Sequence, residues 1–341
     1  VRYCALLIAF LPVVAGATPL RSPWDAPPAV RESAKVTPCP PAPVLPRDII
    51  TTSFYVDKAH SVPDPERYAA YRASVKPLND SARSVAAMAD TYRASGDVTA
   101  ARCVATWLAS FAHGDALTGT MSSNQAYYVQ GWTLGAFAID WLKVRGAPGI
   151  SDEARALVPK WLDRVGRLNR DYYAGRDDKV DGRNNHRYWA GLAAAASGIA
   201  ADRRDAFDWG MNSMRIGLAQ VDADGALPLE MARRAKALHY HLFALAPLVT
   251  IAELGAANGI DAYRENGGAL ERLGRRALAG VADPTFFADR AGVAQEETKR
   301  SADSLAWVIP FERRFPDPRV RAMLVRLPST SVLYLGGNPP P

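Results

Sequence analysis

The feature that most constrains this chain is its texture beyond Asp80. Long segments of Ala, Leu, Arg and Trp alternate with short punctuation by Gly, Asp and Asn. Apolar positions recurring every three to four residues describe helices, and almost no stretch alternates apolar with polar residues as a half-buried strand would. The spacing predicts helices over about Ser81 to Ser95, Val98 to Ala112, Gln125 to Val144, Asp152 to Tyr172, His186 to Ala201, Arg204 to Ala219, Glu230 to Ala257, Leu270 to Val281 and Ala302 to Arg314. The joins carry stop and start signals: Ser95-Gly96-Asp97, His113-Gly114-Asp115 and Gly182-Arg183-Asn184-Asn185. Helices joined this tightly fold back on their predecessors as antiparallel hairpins. Ala190 to Ala200 is small and apolar on more than one side, which suits a helix packed between neighbours rather than one wet on a face. The expected fold is all-α: an α/α toroid, an incomplete α/α barrel of antiparallel helical hairpins around a cleft. A flat array of helical repeats is the rival, but the chain shows no fixed-period self-similarity.

The first residues have a different texture. Arg2 precedes an apolar run from Ala5 to Val14, and Ala15-Gly16-Ala17 precedes Thr18, the pattern of a cleavable signal peptide. The run is too short to span a bilayer, and no later segment reaches the roughly 18 uninterrupted apolar residues of a membrane helix. A periplasmic or secreted protein without a stable membrane anchor is therefore expected, and a monomer. The expected organisation is a signal peptide over 1–17, an extended Pro-rich arm over 18–50, a single toroid over 51–335 and a short tail over 336–341. Five prolines between Pro38 and Pro46 keep the arm out of helix. After cleavage two cysteines remain, Cys39 and Cys103, and an oxidising compartment favours their pairing as a disulfide that staples the arm to a helix.

Lys and Arg total 41 against 35 Asp and Glu, a net charge of +6, which favours an anionic partner. Export argues against nucleic acid, and no zinc-ligand spacing, basic zipper or RNA-binding aromatic motif is present. An acidic polysaccharide fits the compartment. Asp222-Ala223-Asp224-Gly225 resembles part of a calcium loop, but the twelfth position is Arg233 rather than Glu. The chain also lacks a His-Glu-x-x-His run, a Gly-x-Ser-x-Gly elbow and a phosphate-binding Gly loop.

Two stretches carry chemistry. Asn184-Asn185-His186-Arg187-Tyr188-Trp189 opens a helix, and Leu227-Pro228-Leu229-Glu230-Met231-Ala232-Arg233 runs on to Leu238-His239-Tyr240-His241. In a continuous helix Arg233 and Tyr240, seven residues apart, share a face, and Lys236 joins the same stripe. Alone, Asn185 reads as an N-cap, His186 as a structural histidine and Tyr240 as packing; together they describe a site.

These stretches resemble the alginate lyases of polysaccharide lyase family 5, exported enzymes with an α/α toroid. The resemblance runs from Phe54-Tyr55-Val56-Asp57-Lys58 through Lys76-Pro77-Leu78, Trp132-Thr133-Leu134-Gly135-Ala136 and the two motifs to Leu305-Ala306-Trp307. It implies that Asn185, His186, Arg233 and Tyr240 are catalytic and that His60 to Lys76 forms a mobile lid. The chain departs from the pattern at Arg187, where alginate-specific members commonly carry Ser.

The implied reaction explains these residue types. A 4-linked uronate is cleaved by removing the C5 proton and expelling the C4 oxygen, and the adjacent carboxylate makes further negative charge at C5 costly. Asn185 and His186 supply hydrogen bonds that neutralise the carboxylate, stabilising the enolate-like transition state above the ground state. Tyr240 gives its proton to the leaving oxygen. If the same phenol takes the C5 proton, its pKa must fall from about 10, and Arg233 pulls it that way; the competing assignment makes His186 the base. In β-D-mannuronate both groups lie on one side of the ring, so one phenol can serve both. Glucuronate differs only at C2, which leaves polyglucuronate and hyaluronan-type chains open as substrates.

Further substrate-binding candidates are Trp189, Arg187, His239, Lys76, Arg67, Tyr68 and Arg72, with Arg313 and Arg314 on the far side of the cleft. His241 reads as structural. No metal and no cofactor is expected. The alternatives are a glycoside hydrolase on a similar toroid, for which Glu230 has no evident carboxylate partner, and a non-catalytic binder of acidic polysaccharide.

Overall fold

Thirteen α-helices form among the described residues, 18–30 and 38–341, of this computed structural model; isolated bridges are the extended pairings there. The expected signal peptide lies outside the described residues. Capping sets the helix boundaries. Helix α1 (Pro65–Ser95) starts where Asp64 accepts a hydrogen bond from the Arg67 amide and Pro65 occupies the first turn. It ends at Gly96, whose φ of 73° needs no Cβ penalty. Asp97, Ser123 and Ser151 cap α2 (Val98–His113), α3 (Asn124–Val144) and α4 (Asp152–Tyr172) in the same way. Asn184, not Asn185, caps α5 (Asn185–Ala201), and α6 (Arg204–Leu218) follows.

Two expectations need correction. The stretch His60 to Lys76 is not a loop throughout, because α1 already starts at Pro65. Pro77 sits inside α1, where the carbonyl it deprives of an amide belongs to Ala73, which is exposed and open to water. The single helix expected from Glu230 to Ala257 is also divided. Helix α7 (Pro228–Met231) is followed by a 3-10 turn at Arg234–Lys236 and then by α8 (Ala237–Ala257). The break falls at Arg234, whose φ of 54° leaves the helical region. Beyond it come α9 (Glu265–Ala282), kinked at Asn266 to Gly268, then α10 (Thr285–Ala291), α11 (Ala302–Leu305), α12 (Val308–Arg314) and α13 (Pro318–Leu324).

The hairpins form the α/α toroid. Helices α1, α3, α5 and α8 pack in succession as the inner set, with α2, α4, α6 and α9 each against its inner partner. Burial follows this order. Every residue of α3 from Val129 to Val144 and of α5 from Arg187 to Ile199 is buried, whereas α4 buries one stripe through Ala154, Val158, Trp161, Leu162 and Val165. Small residues let the layers meet: a Cβ on Gly210 of α6 would lie 2.5 Å from the Gly191 carbonyl oxygen of α5. Arg234–Ala257 is long and apolar enough to cross a membrane, and it is mostly buried among the other helices.

The arm lies on this body through Leu20, Trp24, Leu45 and Ile49, all in the core. Cys39 and Cys103 are joined as a disulfide, with their Cα atoms 5.2 Å apart, tying the arm to α2. The C-terminal residues are pinned as well. Buried Lys143 pairs with Asp90 at 2.5 Å and donates to the Gly336 carbonyl, while the Asn338 amide donates to Asp90 at 2.8 Å. That anchorage holds the turn carrying Tyr334 over the cleft.

Candidate active site

Two chain segments meet at the mouth of the helical ring. The first turn of α5 presents Asn185 and His186. Opposite it, the broken run from α7 to α8 presents Glu230, Arg233 and Tyr240. Arg233 and Tyr240 do stack, but not through helical periodicity: the chain break at Arg234 folds the guanidinium back over the phenol, 3.5 Å from its ring centroid. Lys236 leaves that stripe and pairs with Glu296 at 2.6 Å.

Glu230 joins the two segments. Its fully buried carboxylate accepts from the Asn185 backbone amide at 2.7 Å and from Asn185 Nδ2 at 3.0 and 2.9 Å. Since a carboxylate only accepts, Nδ2 must face it, and Asn185 Oδ1 is left without a protein partner. His186 lies flat on Tyr128, ring centroids 3.7 Å apart. Tyr128 is in turn held by Asp181 at 2.9 Å, which also accepts from Tyr172 and from Nε and Nη2 of Arg176. A packed and hydrogen-bonded chain thus fixes the imidazole plane while leaving Nδ1 unpartnered.

The segment before α1 covers this cluster. The Tyr55 hydroxyl lies 2.7 Å from the Tyr240 hydroxyl, and Arg233 Nη2 donates to the His60 carbonyl at 2.7 Å. Sequence reasoning missed Tyr55, although Phe54-Tyr55 in an otherwise polar segment was a signal for it.

Among the described residues, eleven buried side-chain polar atoms lack a partner, and Asn185 Oδ1, His186 Nδ1, Trp189 Nε1, Trp132 Nε1 and Arg233 Nε account for five of them. Buried polar groups are ordinarily satisfied, so their concentration here marks a surface built for a polar ligand. Alongside lies a cavity of about 740 Å³, lined by Tyr68, Tyr71, Arg72 and Arg83 of α1, Trp189 of α5, His239 and Phe243 of α8, and Asp303 and Tyr334 beyond.

Electrostatics assigns the resting protonation states. Burial, aided by the Arg233 charge, pushes His186 down to about 3, so its imidazole is neutral. Tyr240 departs from the sequence expectation: burial holds its phenol well above the usual range, and the opposing pull of Arg233 does not win. The resting phenol keeps its proton. Burial also raises Glu230, against the pull of Arg233 and Asn185. His239 opens to the cleft, yet the surrounding walls and the Lys236 charge lower it to about 4.

The remaining candidates divide by location. Trp189, His239, Tyr68 and Arg72 line the cavity. Arg187 does not; it is buried between α5 and α6, where Nε donates to Ser213 at 2.8 Å and the guanidinium lies 4.1 Å from the Trp209 ring centroid. One position after His186, the helical turn carries the side chain outward, away from the cleft. Lys76 follows Arg72 by one helical turn, but its ammonium is drawn to Asp80 and is outside the cavity lining; Arg67, adjacent to Tyr68 and so turned about 100° from it, is exposed and outside the lining as well. Arg313 donates to the Pro340 carbonyl and Arg314 to Glu253, so neither reaches the cleft. His241 is fully buried, with Nδ1 on the Ala237 carbonyl at 2.7 Å and Nε2 accepting the Leu227 amide at 2.9 Å. Among the described residues no three of His, Cys, Asp and Glu gather as metal ligands.

The chain is similar to known proteins over most of its length. Residues 49–287 match the family model described as Alginate lyase. A protein named Polysaccharide lyase from Stenotrophomonas maltophilia strain K279a is 38% identical over 282 residues, 82% of each chain. An Alginate lyase of Pseudomonas putida strain W619 is 36% identical over 261 residues, 75% of this chain and 70% of its own. Among solved structures, a His-to-Ala variant of alginate lyase A1-III complexed with tetrasaccharide superposes with a TM-score of 0.76 at 25% identity, covering 94% of this chain and 86% of that one. The same enzyme from Sphingomonas species A1 gives 0.71 at 26% identity, covering 89% and 84%.

Proposed function

Because this chain belongs to the alginate lyase family, we propose that it is a polysaccharide lyase that cleaves alginate, at poly-β-D-mannuronate linkages first, by β-elimination. The observation that carries the reading is the cluster at the cleft: the Arg233 guanidinium lies on the protonated phenol of Tyr240, Glu230 ties the Asn185 amide to the Arg233 segment, and His186 follows Asn185 in the chain with its Nδ1 unpartnered. A uronate carboxylate meets the Asn185 and His186 groups, which neutralise the charge that builds beside C5. Tyr240 donates its proton to the departing C4 oxygen. In the shared-phenol route that proton must pass to solvent before C5 is attacked, and the Tyr55 hydroxyl at 2.7 Å can relay it by releasing its own proton to water as it accepts the one from Tyr240. In the other route the neutral His186 imidazole takes the C5 proton.

The cavity supplies the binding surface. Arg72 and Arg83 bring positive charge to one wall, and Phe243 and Tyr334 bring aromatic faces on which sugar rings stack, with Trp189 buried behind them at 2% exposure. The hydrolase alternative loses its acid, because Glu230 is fully buried with both oxygens engaged by Asn185. The Cys39–Cys103 disulfide supports a protein that works in an oxidising compartment, periplasmic or secreted.

The test is a panel of polymannuronate, polyguluronate, polyglucuronate and hyaluronan assayed for ultraviolet-absorbing unsaturated ends. Elimination gives that absorbance with polymannuronate; saturated ends would mean hydrolysis, and intact polymer would mean binding alone.

A further inference from the structure

Glu230 is a fully buried carboxylate that the reaction above does not use. It lies on α7, three residues before Arg233, and its hydrogen bonds cross to the first residue of α5. It therefore spans the two segments that supply the reacting groups. The contacts to Asn185 are also specific in direction. The two oxygens of one carboxylate lie too close together to receive both N–H bonds of a single amide head-on. One N–H of Asn185 is thus directed between Oε1 and Oε2, leaving the other for a ligand. Oδ1 is held on the side away from Glu230, unpartnered. Without an acceptor-only group at this place, an amide flips freely and presents its oxygen to the substrate carboxylate as readily as its N–H.

We propose that Glu230 is a positioning residue that locks the orientation of the Asn185 side-chain amide and joins the Asn185–His186 turn to the Arg233 segment. The inference rests on the elimination reading, since it assigns Asn185 the task of neutralising the uronate carboxylate. Burial raises Glu230, while Arg233 and Asn185 draw it back toward the charged, acceptor-only form that the lock requires. Its effect on turnover passes through Asn185, not through contact with substrate.

Glu230→Gln keeps the size but replaces one acceptor oxygen by a donor, which favours the flipped Asn185 amide. Turnover of polymannuronate should fall about 10- to 100-fold with KM within about threefold, and introducing the same change into Asn185→Ala should cost less than about twofold more. An unchanged turnover in Glu230→Gln, or an equal fold-loss in both backgrounds, would overturn the proposal. A second measurement is independent of turnover. The side-chain amide resonance of Asn185, identified by its loss in Asn185→Ala, should exchange slowly with solvent in the intact protein and faster in Glu230→Gln; equal exchange would also overturn it. If the intact protein makes no unsaturated ends, the elimination reading fails by itself, while the exchange comparison still decides whether Glu230 locks the amide.

Discussion

Replacing Arg187 by Met separates two accounts of the position where this chain departs from the pattern of its family. The structure makes Arg187 a packing residue, so the change should cost stability and leave substrate choice alone. The hydrogen bond from a buried guanidinium to Ser213 at 2.8 Å is of a kind that contributes about 1.5 to 3 kcal/mol. The guanidinium 4.1 Å from the Trp209 centroid adds about 0.5 to 2 kcal/mol. Asp177, 3.7 Å away with its side chain 83% exposed, adds little. Against these stands relief of the desolvation that already lowers the Arg187 pKa. Met keeps the aliphatic stem, so the net loss should be about 2 kcal/mol, a fall in Tm of roughly 3 °C for a chain of this size. Urea unfolding and the polyuronate panel measure the two quantities side by side. A changed substrate ranking with unchanged stability would refute the placement of Arg187 between α5 and α6.

Other outcomes follow from the protonation states. Burial lowers His241 to about 4, so the unfolded chain takes up a proton below about pH 6.5 that the folded chain refuses. Stability contributed by the neutral ring is complete above that pH and is lost as pH falls toward 4, by roughly 3 kcal/mol. His186 and His239 give slope over the same range, so His241→Gln should reduce that part of the unfolding profile by about one proton's worth rather than abolish it, and an unaltered slope would contradict it. The pH dependence of kcat/KM distinguishes the base assignments. With His186 as the base, a ring at about 3 gives no acid limb near pH 6.5 and a flat profile through neutrality; with the Tyr240 phenolate as the base, the rate climbs tenfold per pH unit toward the alkaline side.

The all-α fold was legible because it rests on local signals repeated many times. Caps such as Asp97, Ser123 and Ser151 and the all-round apolar α5 describe inner and outer helices directly. What escaped sequence reasoning depended on long-range context. Pro77 is tolerated inside α1 because its turn is wet, and the helix before Tyr240 breaks because Arg234 takes a positive φ. The Arg233–Tyr240 stack was expected from a spacing of seven, yet it is made by that break. Direction around a helix was the second weakness. His186 and Arg187 are neighbours in the chain, but one faces the cleft and the other the α5–α6 interface. Arg67 and Tyr68 on α1 diverge likewise. The sign of the Tyr240 shift could not be weighed without knowing how deeply the phenol is buried. Glu230 looked like a stray acid until its two oxygens were seen on Asn185, 45 positions away in sequence.

Turnover by Tyr240→Phe tests the central claim most directly. The ring and its stack on Arg233 remain, so polymannuronate binding, followed by calorimetry, should stay within a few-fold of the intact protein. Formation of unsaturated ends should fall at least about 1,000-fold with the loss of the proton donor. A Phe variant that still forms unsaturated ends within about tenfold of the original rate would contradict the account.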